Sequence, residues 1–491
     1  MKVKQKTAVL FLLRIVKTII SIFSLILSAK YFGVSKPMDF WILVSTFVLS
    51  IIGIMWGPIN EIFRSKFIII KEQFGEDQAL KQTSSLLSFI FLFSILIIIL
   101  IVFFSDKIFI LLNSVPYTNA DKLLFIKILL AFLPALLLNE LTVIFISILN
   151  SFDVFNIPEY MGIVSGAINL IAIIFFANFL GIYSLIISNH IGNLLLLAVL
   201  IYFIRKKKIK FYKSRLIFKW NDIKPFLIYA LPFYFPYALG QLNSIYEKKY
   251  VNYYGEGFLS SLNYSKQIIS MLQPVFFGVL MTIMVPQLTR LFVRNEVNKY
   301  KKNLKDFFDV CIMICAPLIP IMYSASGTVV TTLYSSGIEE SYIILISKLF
   351  SYYSLSFIGI ALYSFMAALY LTINKTKFYS TIAIIVQILI FILNTILYKR
   401  FTIDVFPLIF GLCHFLAAVI LIFKVDKGLR NQMFQFLGKF LTIIIIFTII
   451  AFYLNKMINN YLSLHIIIFN IILGMAFLLI TYLLSYKSIK L

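Results

Sequence analysis

The sequence is poor in acid. Of 491 residues only 20 are Asp or Glu, against 44 Lys or Arg, and the four types together make up 13% of the chain. So little polar surface could not cover a soluble core of this size, which excludes a globular enzyme or soluble binding module. Histidine and cysteine are scarce, at three each. His190, His414 and His465 are scattered through apolar segments. Cys311, Cys315 and Cys413 lie inside apolar runs with no His or carboxylate grouped beside them. They read as small packing residues, not as a metal or redox centre. No phosphate-binding glycine loop, HExxH pair or nucleophile elbow occurs, so ATP is not expected as a direct energy source and no cofactor is expected. Long loops are missing too. None exceeds about fifteen residues, too short for a folded module outside a membrane.

What is present is hydrophobic: 61% of residues, with a mean hydropathy of +0.97. Apolar runs long enough to cross a bilayer are predicted at 8–30, 39–63, 83–104, 122–149, 157–178, 180–204, 223–252, 258–289, 305–325, 342–372, 377–398, 401–424, 435–454 and 462–485. The N-terminal MKVKQK and the run behind it resemble a signal peptide, but the run passes twenty residues with no small-residue cleavage site, so it is read as a retained first span. The net charge of +24 is concentrated in alternate loops, chiefly 205–220 and 290–305, with smaller clusters at 64–81, 375–377 and 424–439. That is the positive-inside pattern and not a nucleic-acid surface, and it places both termini in the cytoplasm.

The fold class expected is therefore an all-α polytopic membrane protein of about fourteen transmembrane helices. KYFG at 30–33 ends the first span and NYYG at 252–255 ends the seventh. Asn169 and Asn394 stand at matching places in the fifth and eleventh. Six spans separate the copies, which implies two parallel six-helix bundles plus two further helices. The corresponding divisions are 1–220 with a basic linker, 221–430 and 431–491.

Polar residues form stripes at helical spacing. Arg14, Lys17, Ser21, Ser24 and Ser28 share one face of the first span. Asp39, Thr46, Ser50, Gly53, Gly57, Asn60 and Arg64 share one face of the second, with Glu61 beside them. Tyr237, Gln241, Ser244 and Lys248 do so in the seventh, flanked by Asn243 and Glu247. Asn263, Lys266, Ser270 and Gln273 do so in the eighth. A charge near the bilayer centre costs roughly 2.5–3.5 kcal/mol, so Lys17 and Lys266 are expected to face a wet cavity. Ser and Gly on the same faces serve equally well as helix-packing contacts. The stripes together suggest a hydrophilic, mainly cationic cleft for an anionic phosphate or pyrophosphate cargo. Asp39, Glu61, Glu247 and the intramembrane Glu140 of the fourth span are candidates for coupling to a cation. Pro232, Pro236 and Gly240 in the seventh span mark either a hinge or a static kink.

Several segments carry a family resemblance: KYFGVSKPMDFW at 30–41, SILNSFDVFNIPEYMGIVSGAINL at 147–170, GQLNSIYEKKYVNYYGEGFLSSLNYSKQ at 240–267, MVPQLTR at 284–290, LYSSG at 333–337 and FMAALYLTINKTKFYSTIAI at 365–384. In order and spacing they resemble the multidrug/oligosaccharidyl-lipid/polysaccharide (MOP) exporter superfamily, within it the MurJ-type lipid II flippases and Wzx-type flippases. The resemblance implies a transporter, not an enzyme. It would sit in a bacterial cytoplasmic membrane and move an undecaprenyl-pyrophosphate-linked glycan between leaflets by alternating access, driven by a proton or sodium gradient or the membrane potential. Its partners would be the bilayer and the glycosyltransferases and polymerase of the same pathway, with no nucleic acid. MurJ-type proteins carry arginines where Thr18, Ser24, Ile52, Gly53 and Gln267 stand here. That departure favours another glycan, such as an O-antigen, capsule or teichoic-type unit. Lipid II transport, a cation-coupled multidrug exporter and a membrane-embedded polysaccharide polymerase are the alternatives.

Overall fold

The computed structural model describes residues 3–152, 154, 156–207, 209, 219–273, 287–292, 294–373, 375–425, 427–458 and 463–485. Most of the predicted basic linker at 205–220, the end of the eighth predicted span and the first part of MVPQLTR lie outside the described residues. The described chain is helical, and each predicted span falls on helix. Eleven helical stretches are long and apolar enough to cross a membrane. The seventh and eighth predicted spans and the fourteenth are helical without meeting that measure over their described length.

Two compact units divide the chain, Met1–Ser260 and Ser261–Leu491. In the first unit, α1 (Val3–Phe32) packs on α8 (Asn156–Leu180), and α8 on α9 (Tyr183–Lys206). The predicted second span is two helices, α2 (Lys36–Met55) and α3 (Gly57–Phe74), divided at Trp56. Pro58 is the cause: it has no N–H to continue the ladder and suits the first turn of a new helix. The fourth span is divided in the same way by Pro134, between α6 (Asn119–Phe132) and α7 (Pro134–Ser151). α4 (Glu76–Phe103) is followed by a short helix, α5 (Ser105–Leu112). The seventh span, α10 (Trp220–Asn252), packs in this unit, against α2, α3 and α4. An apolar cluster of Trp56, Phe63, Phe67, Ile90, Ile144 and Phe226 fills the space among them.

The second unit holds most of α11 (Phe258–Gln273), then α12 (Val297–Ser324), α13 (Ser326–Tyr334), α14 (Glu340–Thr372), α15 (Thr376–Leu397), α16 (Val405–Phe423), α17 (Lys427–Ile458) and α18 (Ser463–Ser485). α14 packs tightly on α16 at a glycine contact. A Cβ on Gly359 would stand 2.3 Å from the Gly411 carbonyl, so only glycine fits. α17 and α18 pack on α12. Phe308 stacks on Phe436, and Phe447 on Phe477.

Some features recur six predicted spans apart, as an internal duplication would leave them. Gly33 ends α1 and Gly255 follows α10, both with positive φ. A short helix follows the third and the ninth predicted spans, α5 after α4 and α13 after α12. Outward faces carry large apolar side chains such as Phe103, Phe179 and Ile445, as a hydrocarbon surround requires. The protein is a multi-pass membrane protein.

Candidate functional site

The predicted polar residues of the first, second and seventh spans lie in the first unit, and those of the eighth, Lys266 and Gln273, in the second. On α1, Arg14 is half-buried and Lys17 exposed. Lys17 lies across α8: a Cβ on Gly162 would stand 3.4 Å from its Nζ, and one on Gly166 would meet Ile20 at 2.8 Å. Two glycines four residues apart thus let α1 approach α8 closely, a small-residue seam of the membrane type. Ser21 donates to the Lys17 carbonyl at 2.9 Å, within its own helix. Ser24 is half-buried and Ser28 buried.

α2, α3 and α10 meet where α2 breaks. Gly53 faces Gln241 and Gly57 faces Tyr237; a Cβ would stand 2.7 Å and 2.6 Å from those side chains, so either would have to shift to admit one. Tyr234 donates to the Met55 carbonyl at 3.3 Å, beside the helix break, and Tyr237 donates to Glu61 at 2.9 Å. Here the structure brings predicted residues together: Asn60 on α3 donates its amide to Glu140 on α7 at 3.0 Å. Glu140 is fully buried. Its Oε1, the Asn60 Oδ1 and the Trp56 indole nitrogen have no hydrogen-bond partner among the described residues. Arg64 is exposed on α3. Pro232 and Pro236 lie within an unbroken α10, and a Cβ on Gly240 would meet open space.

Asp39 is tied down. It is 2% exposed, and accepts from the backbone N–H of Gly257 at 2.6 Å, from that of Ser260 at 2.8 Å, and from the Ser260 hydroxyl. It thereby caps the first turn of α11 from another helix, a use of the orphan N–H groups every helix start offers. Lys36 reinforces this end by pairing with Asp121 at 3.1 Å and Glu256 at 3.7 Å. Asp121 also closes a capping box with Thr118 at the start of α6. Lys248 and Glu247, expected on the cleft face, are both buried and pair at 3.0 Å. Ser244 lies half-buried one turn before Lys248. In the second unit the Lys266 ammonium sits 5.4 Å from the Phe410 ring centre, a cation–π contact, and Gln273 is half-buried at the end of the described part of its span.

Sequence reading missed Tyr234, Trp56, Gly162 and the Gly257–Ser260 donors. The GEGFLSS stretch at 255–261 was the available signal for the last, since glycine and serine there mark a helix start in need of an acceptor.

Comparison with known proteins places this geometry. The family model described as "Lipid II flippase MurJ" matches residues 28–473. A protein of Buchnera aphidicola named "Probable lipid II flippase MurJ" is 26% identical over 318 residues, which span 62% of this chain and 61% of that protein. Among solved structures, "Lipid II flippase MurJ, inward closed conformation" superposes with a TM-score of 0.80 at 22% identity, covering 98% of this chain and all of that one. An inward-facing multidrug resistance MATE family transporter of the MOP superfamily gives a TM-score of 0.69 at 10% identity, over 88% and 98% of the two chains.

Proposed function

The chain belongs to the MurJ lipid II flippase family, and from that premise we propose that it is a transporter that moves lipid II, a polyprenyl-pyrophosphate-linked peptidoglycan precursor, from the cytoplasmic to the outer leaflet. The observation that carries the reading is the length of the family match, residues 28–473, which takes in nearly every span. The expected preference for an O-antigen or capsule unit rested on the arginines missing at Thr18, Ser24, Ile52, Gly53 and Gln267. The family match weighs for the alternative. Arg14 and Lys17 on α1 supply cations of the kind a pyrophosphate needs. Glu140 is the proposed coupling carboxylate, being buried with only an amide donor to hold it.

The test is replacement. In a bacterium depleted of its own lipid II flippase, this chain restores growth and the appearance of lipid II in the outer leaflet. Lys17→Ala lowers the transport rate about tenfold, as loss of one charge-assisted hydrogen bond implies. A chain that inserts normally, fails to restore lipid II export and instead rescues a strain lacking a lipid-linked oligosaccharide flippase overturns the reading in favour of the other glycan.

A further inference from the structure

The basic segments at 290–305 and 424–439 are far apart in sequence, and the second unit brings their starts together. Between them lies a cavity of about 270 Å³, lined by Leu291, Phe292, Asn295, Val297, Lys301 and Gly428 among others. Lys301 reaches across it, since a Cβ on Gly428 would stand 3.4 Å from its Nζ. Residues 287–305 and 424–430 hold nine Lys or Arg and two acidic residues. Of the acids, Glu296 is held by Lys299 at 2.6 Å, and Lys301 has no carboxylate partner among the described residues.

The rest of the wall is apolar and open: Phe292 is 41% exposed and Val297 56%. Two helices long and apolar enough to cross a membrane, Val297–Ser324 and Lys427–Ile458, begin at this cavity, and their apolar runs start further along, at 305 and 435, so it lies on the headgroup side of the hydrocarbon. Tyr300, on the same wall, is fixed by its hydroxyl contact with Thr372 at 3.1 Å.

We propose that this cavity binds the headgroup of an anionic phospholipid of the adjacent leaflet. A small free anion would satisfy Lys301 but leave Phe292 and Val297 against water. A zwitterionic lipid would cover the apolar wall but leave the positive excess unanswered. Only an anionic amphiphile meets both, as basic groups at the ends of spanning helices do for acidic lipids. The proposal does not depend on which glycan is carried.

Phe292→Trp places a fluorophore in the cavity wall, and the native chain, with its three tryptophans, gives the background. The full chain is reconstituted in phosphatidylcholine vesicles holding an equal share of either brominated phosphatidylglycerol or brominated phosphatidylcholine. Brominated phosphatidylglycerol quenches the introduced indole more strongly. Adding Lys301→Glu lowers that preference about fivefold or more, the worth of a basic residue at a membrane surface, whereas Lys81→Glu, outside the cavity, leaves it unchanged. Gly428→Val, which fills the cavity without altering charge, reduces the quenching too. Equal quenching by the two lipids overturns the proposal. So does a preference that survives both cavity variants in folded protein, or one that free glycerol phosphate abolishes.

Discussion

The two units treat their buried carboxylates differently. In the first, Asp39, Glu140 and Asp222 are held by neutral donors: backbone N–H groups and a serine, an asparagine amide, and the Ser85 hydroxyl at 3.0 Å. Glu247, paired with its neighbour Lys248, is the exception. In the second, Asp309 pairs with Lys439 at 3.0 Å and Asp404 with Lys348 at 2.5 Å. A carboxylate answered by lysine is neutralised in place and fastens two helices, α12 to α17 and α14 to the start of α16. One answered only by neutral donors either needs several of them to stay charged or is free to exchange a proton. Asp39 has the several donors, and Glu140 has one. The lysine-paired acids thus serve the architecture of the second unit, while in the first unit Asp39 is held by several donors and Glu140 by one.

The sharpest way to break this contrast is to remove the best-satisfied acid. Asp39→Ala strands two backbone N–H groups and a hydroxyl in a dry site, at about 1–3 kcal/mol for each buried group left unpaired. A loss of about 3 kcal/mol or more is expected, read from the unfolding midpoint of the purified chain in detergent. Asp39→Asn, which keeps one acceptor oxygen, recovers part of it. A change below about 1 kcal/mol for the alanine variant would show that the cap carries no weight.

A smaller effect is expected from the lysine-paired acid. Lys439→Met leaves Asp309, which is 5% exposed, without its counter-charge. A fully buried pair broken this way costs about 3–5 kcal/mol, but Lys439 is about one-third exposed, so roughly 2 kcal/mol is the expectation. Adding Asp309→Asn restores most of the loss, because the stranded charge goes with it. An unchanged double variant would mean that packing of the lysine stem, and not charge, joins α12 to α17.

Much of this arrangement was legible in the sequence, because hydrophobic runs and basic loops record the bilayer directly. The helices, their order and the likeness of the two halves follow from those runs and from paired signals such as KYFG and NYYG. The breaks at Pro58 and Pro134 were readable in principle, since proline cannot continue a helical ladder, yet uninterrupted hydropathy hid them. Side-chain partners were less legible. A stripe at three- and four-residue spacing says which residues share a face and not which helix that face meets. Lys17 therefore lies over Gly162 of α8, Asp39 caps a helix more than two hundred residues away in sequence, and Lys248 pairs with its own neighbour. Asn60 and Glu140, on different predicted spans, touch only because α3 and α7 cross there.

That crossing gives the smallest predicted change and the most direct test of the contrast. Glu140→Gln keeps the shape of the side chain and an oxygen to accept from the Asn60 amide, while removing the proton-exchanging group. With no lysine to leave behind, stability is expected to stay within about 1 kcal/mol of the native chain, as isosteric changes without stranded charge usually do. Transport, measured in vesicles with and without an imposed proton gradient, is expected to lose its response to that gradient. The matched change in the other unit, Asp309→Asn alone, strands Lys439 at a partly exposed site, destabilises more, and leaves the gradient response intact. If Glu140→Gln instead destabilises as much as Asp309→Asn and spares the gradient response, then the acid of α7 is structural like those of the second unit, and coupling belongs to another group.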